Sequence, residues 1–491
     1  MSRKMLGIAN TLRAGTGYQR YLCILIVVGF GLRLVMLDRF RFHQDEALYS
    51  YWALHFLHDD PHFLEQWIDK PPLFIWLLAY WFKAFGTSEA SARLLNVGIS
   101  MVTIPVVAAI ARRAWTTAAG VVAATFFALN PFAISYSPTA FTDPLLVLAG
   151  VCSLCAAQRS RGVLTGLCLG AAIMTKQQGV LFVPLALAVL ITGNPKAKPI
   201  LAAALRVSGG IALTVLPVLY WDSLRWAVAP SPWDLSVRNY GALEVVSIDH
   251  LLGRATRIAE LLWYLTASHI VWIVLVGAAV LAAVYARGTD HFPRRNTVLA
   301  VLLCGWIGVY WAIHAAFSLP LWDRYFLPIA PVFAILCGWI GARVLSLSSD
   351  VWRPAVIGLW MVLLLPGAMQ AARGGLPIGG DHGAYDGLRE VSGWLDSNSP
   401  AGAVLYHQSL SWHLQFYLYE NPRDYTVRWF ASPVALADDA AKRAQQARYV
   451  IAPAWRPLRN SHPHLSAREL ALVRRFKTEQ FAVYELVLNR R

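Results

Sequence analysis

Charge is scarce in this chain. Of its 491 residues only 14% are Asp, Glu, Lys or Arg, while 57% are hydrophobic and the mean hydropathy is +0.47. That balance excludes an ordinary soluble globular protein and implies a polytopic membrane protein with room for one soluble domain. Nucleotide signatures are missing too. Without a P-loop or a dinucleotide glycine fingerprint, a nucleotide-driven reaction has no visible seat, and no G-x-S-x-G elbow is present. Zinc-finger spacing, basic stripes, internal repeats and low-complexity tracts are also absent, so the net charge of +15 does not point to nucleic acid. The six cysteines, Cys23, Cys152, Cys155, Cys168, Cys304 and Cys337, all lie in apolar runs. They read as small buried hydrophobes rather than disulfides or metal ligands.

What is present is a series of apolar runs. Spans are expected near 21–37, 94–111, 117–134, 144–158, 162–174, 178–193, 200–220, 260–286, 297–317, 327–343 and 355–370. Several are short against the roughly 20 residues that a crossing helix needs. The basic opening (Arg3, Lys4, Arg13, Arg20) lacks a small-residue cleavage site, so 21–37 is read as a retained first span with a cytoplasmic N-terminus. Basic links at Arg112-Arg113, Arg159/Arg161, Lys196/Lys198, Arg287/Arg294/Arg295 and Arg343/Arg353 fall on alternate turns, as the positive-inside rule demands. The run Leu73–Phe85 is short and aromatic, which suits an interfacial helix. Residues 38–93 then form one long outer loop, with an amphipathic start near Ala47–Leu57. Residues 1–370 are expected as the membrane domain. Glycines 374, 375, 379 and 380 mark a linker, and 371–491 is expected as a small extracytoplasmic α/β domain with strands near Ala403–Tyr406, Ala447–Ile451 and Phe481–Leu488.

Five polar clusters interrupt the apolar bulk, and this topology carries all of them to the outer face. Ionisable residues in or near lipid are costly and usually functional. Asp45-Glu46 suits acid–base work or a cation, and equally a solvated helix cap. In Asp69-Lys70-Pro71-Pro72 the prolines stiffen the loop, and the lysine is either a phosphate ligand or a snorkelling side chain. Asp143 is placed to cap the helix that follows it or to pair around a hydroxyl or a divalent cation with Asp45 and Glu46. Lys176 sits at a break between two apolar runs. Arg324, beside Tyr325, offers a guanidinium for bidentate phosphate contact, with Asp323 as its neutraliser in the bland alternative. His55, His58 and His62 have a spacing compatible with a metal but more often seen in water-facing interface histidines. His407 and His413 either face a membrane site or simply pack.

In order along the chain, Asp45-Glu46-Ala47-Leu48-Tyr49, Asp69-Lys70-Pro71-Pro72-Leu73, Gly86-Thr87-Ser88-Glu89, Ala92-Arg93-Leu94, Thr142-Asp143-Pro144, Met174-Thr175-Lys176-Gln177-Gln178-Gly179 and Arg324-Tyr325-Phe326-Leu327-Pro328 resemble the bacterial protein-mannosyltransferase-like and aminoarabinose-transferase-like GT-C glycosyltransferases. The resemblance covers roughly residues 20–345. It departs at Asp69, where the aminoarabinose enzymes carry Glu.

The resemblance implies a multispanning, α-helical GT-C fold, and the apolar runs put its membrane helices at about eleven or more. It also implies transfer of a sugar from a polyprenyl-phosphate donor to a lipid, glycan or protein acceptor, with inversion. By this analogy Asp45 is the general base, Glu46 supports it and Asp143 orients the acceptor or the base. Lys70, Lys176 and Arg324 hold the donor phosphate, with Asp69, Arg93 and Tyr325 supporting. The resemblance leaves metal dependence open. A lipid or glycan flippase is the alternative. It predicts inverted repeats and midplane charges, and the charges here gather at span ends instead.

Overall fold

Backbone polar groups in lipid must be satisfied within the segment that carries them, so long apolar runs fold as helices. The computed structural model of this chain describes residues 3–192, 200–241, 244–285, 294–349 and 351–489. Of the basic links, Lys196, Lys198 and Arg287 lie outside the described residues. Within those residues the chain groups into two units. One comprises the residues up to Leu37, His62–Leu77 and Arg93–Gly379. The other comprises Asp38–Pro61, Leu78–Ala92 and the residues from Gly380 onward.

Six of the described helices are long and apolar enough to cross a membrane: Gly17–Leu34, Glu89–Ala114, Ile200–Ser223, Thr297–Ala316, Ile329–Leu347 and Arg353–Ala372. Asp143–Gln158, Gly162–Thr175 and Phe182–Thr192 are shorter. At 1.5 Å per residue, a helix the length of Gly162–Thr175 is about 21 Å long, against a hydrocarbon core of about 30 Å. Leu73–Phe85 is a helix as expected. It buries Phe74, Ile75, Leu78, Ala79 and Phe82 on one face and exposes Tyr80 and Phe85.

Two expected spans are corrected. The 117–134 run is broken into Thr117–Ala128 and Pro131–Tyr136. Pro131 has no N–H for a continuous helix, and Asn130 caps the second piece by accepting the Ala133 N–H. The 260–286 run is two helices, Ile248–Trp263 and His269–Tyr285. Between them Ala267 has φ 49°, and the Thr266 and Ser268 hydroxyls bond to local backbone. Such bonds compete with helix.

Packing in the first unit relies on close backbone approach. A Cβ on Gly166 would lie 2.0 Å from the Val207 oxygen, and one on Gly170 would lie 1.6 Å from Thr214 Oγ1. The small-residue stripe Gly162, Gly166 and Gly170 therefore seats Gly162–Thr175 directly against Ile200–Ser223, which presents Leu205, Leu213 and Leu216 outward. Arg33 is wholly buried in the first helix. It donates to Gly29 O, Phe127 O, Ala128 O, Ser100 Oγ and Ser137 Oγ.

In the second unit a five-stranded sheet comprises β1 (Val404–His407), β2 (Thr426–Trp429), β3 (Arg448–Pro453), β4 (Leu470–Lys477) and β5 (Phe481–Leu488). The strand order is β2-β1-β3-β5-β4, with β1 parallel to β2 and β3, and β5 antiparallel to β3 and β4. The three expected strands are β1, β3 and β5. The partly exposed β2 lacks a continuous apolar run, and in β4 the short run Leu470–Val473 gives way to Arg474-Arg475. Leu388, Leu395, Leu405, Leu414, Ile451 and Val483 form a core on one side, and Val404, Tyr406, Leu436, Val450 and Leu486 form one on the other.

Candidate active site

In the first unit, breaks between helices carry the cations. Lys70 lies in the loop before Leu73–Phe85. Lys176 ends the helix Gly162–Thr175, where a 3-10 turn, Gln177–Leu181, begins. Arg324 and Tyr325 sit in the 3-10 turn Asp323–Phe326. All three cations are at least nine-tenths buried, as are Asp69 and Asp143. Lys176 Nζ donates to Asp143 Oδ1 at 2.6 Å, and Lys70 Nζ to Asp69 Oδ1 at 3.0 Å. Asp143 lies in the first turn of its helix, where a negative charge is favoured. The charges of Asp143, Arg324 and Lys70 all act on Lys176, so the three cations and Asp143 form one cluster, with Asp69 bonded to Lys70 and Asp323 beside Arg324.

Aromatic faces cover the cations. Lys70 Nζ is 3.9 Å from the Tyr240 ring centre and Lys176 Nζ is 4.0 Å from that of Tyr325. The Arg324 guanidinium lies 4.6 Å from Trp322 and 4.9 Å from Phe141. Cation–π contact of this kind is strongest away from water. Asn239 donates to Asp69 Oδ2 at 2.9 Å. Asn96 holds the approach to Asp143 by donating to both Thr139 O and Phe141 O at 2.7 Å. Asp323 accepts backbone N–H groups from Arg324 and Gly379. Arg93 Nη1 donates to Leu37 O, a bracing contact at the end of the first helix.

The second unit holds Asp45 and Glu46. Glu46 is buried and completes a capping box, accepting the His43 N–H, so it is a cap shielded from solvent. His43 Nδ1 accepts the Asp45 N–H, which leaves the proton on Nε2, 3.5 Å from Asp381 Oδ2. Burial pushes the Asp381 carboxyl above its ordinary range, His43 draws it back, and Glu46 and Asp45 push it up again. Asp381 is therefore a third carboxylate beside the predicted pair. The sequence hid it in a glycine-rich linker, where Gly379, Gly380 and Gly383 all have positive φ. Glu89 is also buried. It accepts from Arg41, the Phe42 N–H and Tyr417, anchoring the start of the first loop.

Among the described residues no three His, Cys, Asp or Glu side chains gather as a metal-binding group. Neither His55, His58 and His62 nor the acids considered for a divalent cation supply one. His55 bonds Asp59 Oδ2 instead. His407 and His413 pack: His407 Nδ1 accepts the Leu410 N–H, and His413 bonds Phe42 O and stacks on Tyr385 at 4.0 Å.

Residues 69–221 match the family model of dolichyl-phosphate-mannose-protein mannosyltransferases. The sequence finds no match among curated proteins. Among solved structures, ArnT from Cupriavidus metallidurans in the apo state is similar at TM-score 0.67 and 16% identity, over 96% of this chain and 98% of that one. ArnT from the same organism bound to undecaprenyl phosphate is similar at TM-score 0.61 and 17% identity, over 95% and 97%. AglB from Archaeoglobus fulgidus, in complex with an inhibitory peptide and a dolichol-phosphate, is similar at TM-score 0.55 and 12% identity, over 95% and 74%. The chain has the GT-C fold. The resemblance read from the ordered motifs is thus met by a family model over residues 69–221 and by the fold, and Lys70, Arg93, Asp143 and Lys176 fall inside the matched segment.

The histidines of the second unit yield a pH prediction. Burial lowers His407 and His413 to about 4; for His413 the bond to Phe42 O and the Glu46 charge raise it while His43 lowers it further. The unfolded chain takes up these protons near pH 6.5, so stability is undiminished above that value and falls as the pH drops toward 4. The raised Asp381 carboxyl acts in the opposite sense, since the folded state holds its proton more tightly. At pH 5 the penalty is about 2 kcal/mol per histidine. Thermal unfolding of the full chain at pH 7.5 and 5.0 checks this. A His413→Gln variant should lose roughly half of the pH dependence, and an undiminished dependence would refute the assignment.

Proposed function

We propose that this chain is an integral membrane glycosyltransferase that moves a sugar from a polyprenyl-phosphate donor to an acceptor hydroxyl or phosphate. The observation that carries the reading is the buried cluster that brings together Lys70, Lys176 and Arg324, with Asp69 and Asp143 bonded to the two lysines. Such a cluster suits a phosphate monoanion or dianion. The lipid phosphates named for the ArnT and AglB structures support that choice.

In the proposed reaction the acceptor oxygen attacks the anomeric carbon in line and inverts it. The bond from that carbon to the phosphate oxygen breaks, and the charge grows on the departing lipid phosphate. Lys70, Lys176 and Arg324 stabilise it there. Asp45 takes the acceptor proton as general base, Glu46 orients the turn that carries Asp45, and Asp143 keeps Lys176 in place. Asp69 and Tyr325 position Lys70 and Lys176, and Arg93 braces the loop. The proposed setting is a multi-pass chain of the inner membrane with a cytoplasmic N-terminus, the 38–93 loop and the 371–491 domain being extracytoplasmic.

The test is release of undecaprenyl phosphate by the full-length protein from a panel of undecaprenyl-phosphate sugars, with membrane extract supplying the acceptor. Asp45→Asn and Lys70→Ala should each slow release by about 10²–10³-fold. Unchanged turnover in both variants at normal expression would sink the assignment.

A further inference from the structure

The cations Lys176 and Arg324 stand on two separate 3-10 turns, and one buried hydroxyl ties the turns together. Tyr310 is 1% exposed and lies on the helix Arg294–Ala316. Its hydroxyl donates to the backbone oxygen of Tyr325 at 2.5 Å. With its proton committed there, the same oxygen accepts from Gln178 Nε2 at 3.2 Å. Gln178 belongs to the turn that begins immediately after Lys176. The Gln178 amide also faces His314 Nε2 at 3.1 Å, while His314 Nδ1 faces Tyr310 O at 2.9 Å. Donation from Nδ1–H to that carbonyl leaves Nε2 as an acceptor, so one tautomer satisfies the whole set. The ring closes through the site itself, because the Tyr325 ring lies 4.0 Å from Lys176 Nζ. His314 stacks on Tyr310 with centroids 4.4 Å apart, which fixes the phenol's direction.

We infer that Tyr310, held by Gln178 and His314, is a positioning residue that sets the distance between Lys176 and Arg324 and so tunes the cluster to a single phosphate group. Neither Tyr310 nor His314 contributes a charge to the cluster. The hydroxyl acts through the backbone of Tyr325 and the side chain of Gln178. Two cations on independent turns would drift apart under their own repulsion. A hydroxyl that donates to one turn and accepts from the other opposes that drift at little entropic cost, since it is already buried. This inference rests on the donor-phosphate reading above.

The experiment is titration of the full-length protein in nanodiscs with undecaprenyl phosphate, followed by native mass spectrometry. The proteins compared are wild type, Tyr310→Phe, Gln178→Met, Lys176→Ala and the double variant Lys176→Ala/Tyr310→Phe. Tyr310→Phe keeps the ring and removes only the hydroxyl. It should weaken binding about tenfold, and Gln178→Met, which keeps the side chain's length, should do the same. If Tyr310 acts through Lys176, its loss should matter less than about twofold once Lys176 is gone. An equal tenfold effect in the Lys176→Ala background would mean a merely structural role and overturn the inference. So would wild-type affinity in both Tyr310→Phe and Gln178→Met. Wild-type protein that binds no undecaprenyl phosphate would overturn the donor reading itself and take this inference with it.

Discussion

Lys176→Ala should cost about 3–5 kcal/mol of stability in addition to the transfer activity, because it leaves Asp143 buried without its partner. The two side chains meet at 2.6 Å and are 5% and 1% exposed, so water cannot replace the lost ammonium. A buried ion pair is weak evidence of net stabilisation, yet removing one member is severe. The paired replacement Lys176→Met/Asp143→Leu should therefore recover most of the stability, since two apolar side chains of similar volume need no partners. It should recover none of the activity, because the proposed phosphate ligand is gone. Thermal unfolding of the purified chain beside the undecaprenyl phosphate release assay separates the two effects. A single variant that melts like wild type would show that Asp143 does not depend on Lys176. A double variant that still turns over would remove Lys176 from the donor site.

Arg33→Met should lower stability by about 2–5 kcal/mol, through carbonyls and hydroxyls left short of a donor in a place water does not reach. Arg33 spends its guanidinium on three backbone oxygens and two serine hydroxyls drawn from four parts of the first unit. Two of those oxygens, on Phe127 and Ala128, lie at the end of Thr117–Ala128, where the helix stops and its last carbonyls need donors. Lysine offers no planar fork, so Arg33→Lys should rescue little. The yield of monodisperse protein and its melting temperature provide the readout. Wild-type behaviour in both variants would mean that the break at Asn130 is held without Arg33.

Much of the cation cluster was legible in the chain. Lys70 before two prolines, Lys176 between apolar runs and Arg324 beside an aromatic residue each stand out because charge is rare around them. Their mutual company was not legible. Asp143 and Lys176 are 33 residues apart, and Asn239 reaches Asp69 across 170. Asp381 stayed hidden because glycines around it look like a linker, although their positive φ values bend the chain back to His43. Tyr310, Gln178 and His314 carry no charge signal at all, and only their hydrogen bonds distinguish them from other polar residues in apolar helices. The missed break at Asn130 and the missed turn at Ala267 share a cause: local side-chain bonds to backbone are weak in a hydropathy pattern and decisive in the folded chain.

The long continuous apolar runs dictated a helical membrane protein, because barrel strands alternate apolar with polar residues and an unbroken apolar run satisfies its backbone in lipid as a helix. The alternating basic links and the polar C-terminal segment likewise needed no coordinates. Only the fold decided which charges meet, which acid is a cap and which turns are tied together. Ion pairs and hydrogen bonds act over a few ångströms, and no separation along the chain reports a distance of that kind until the helices have packed.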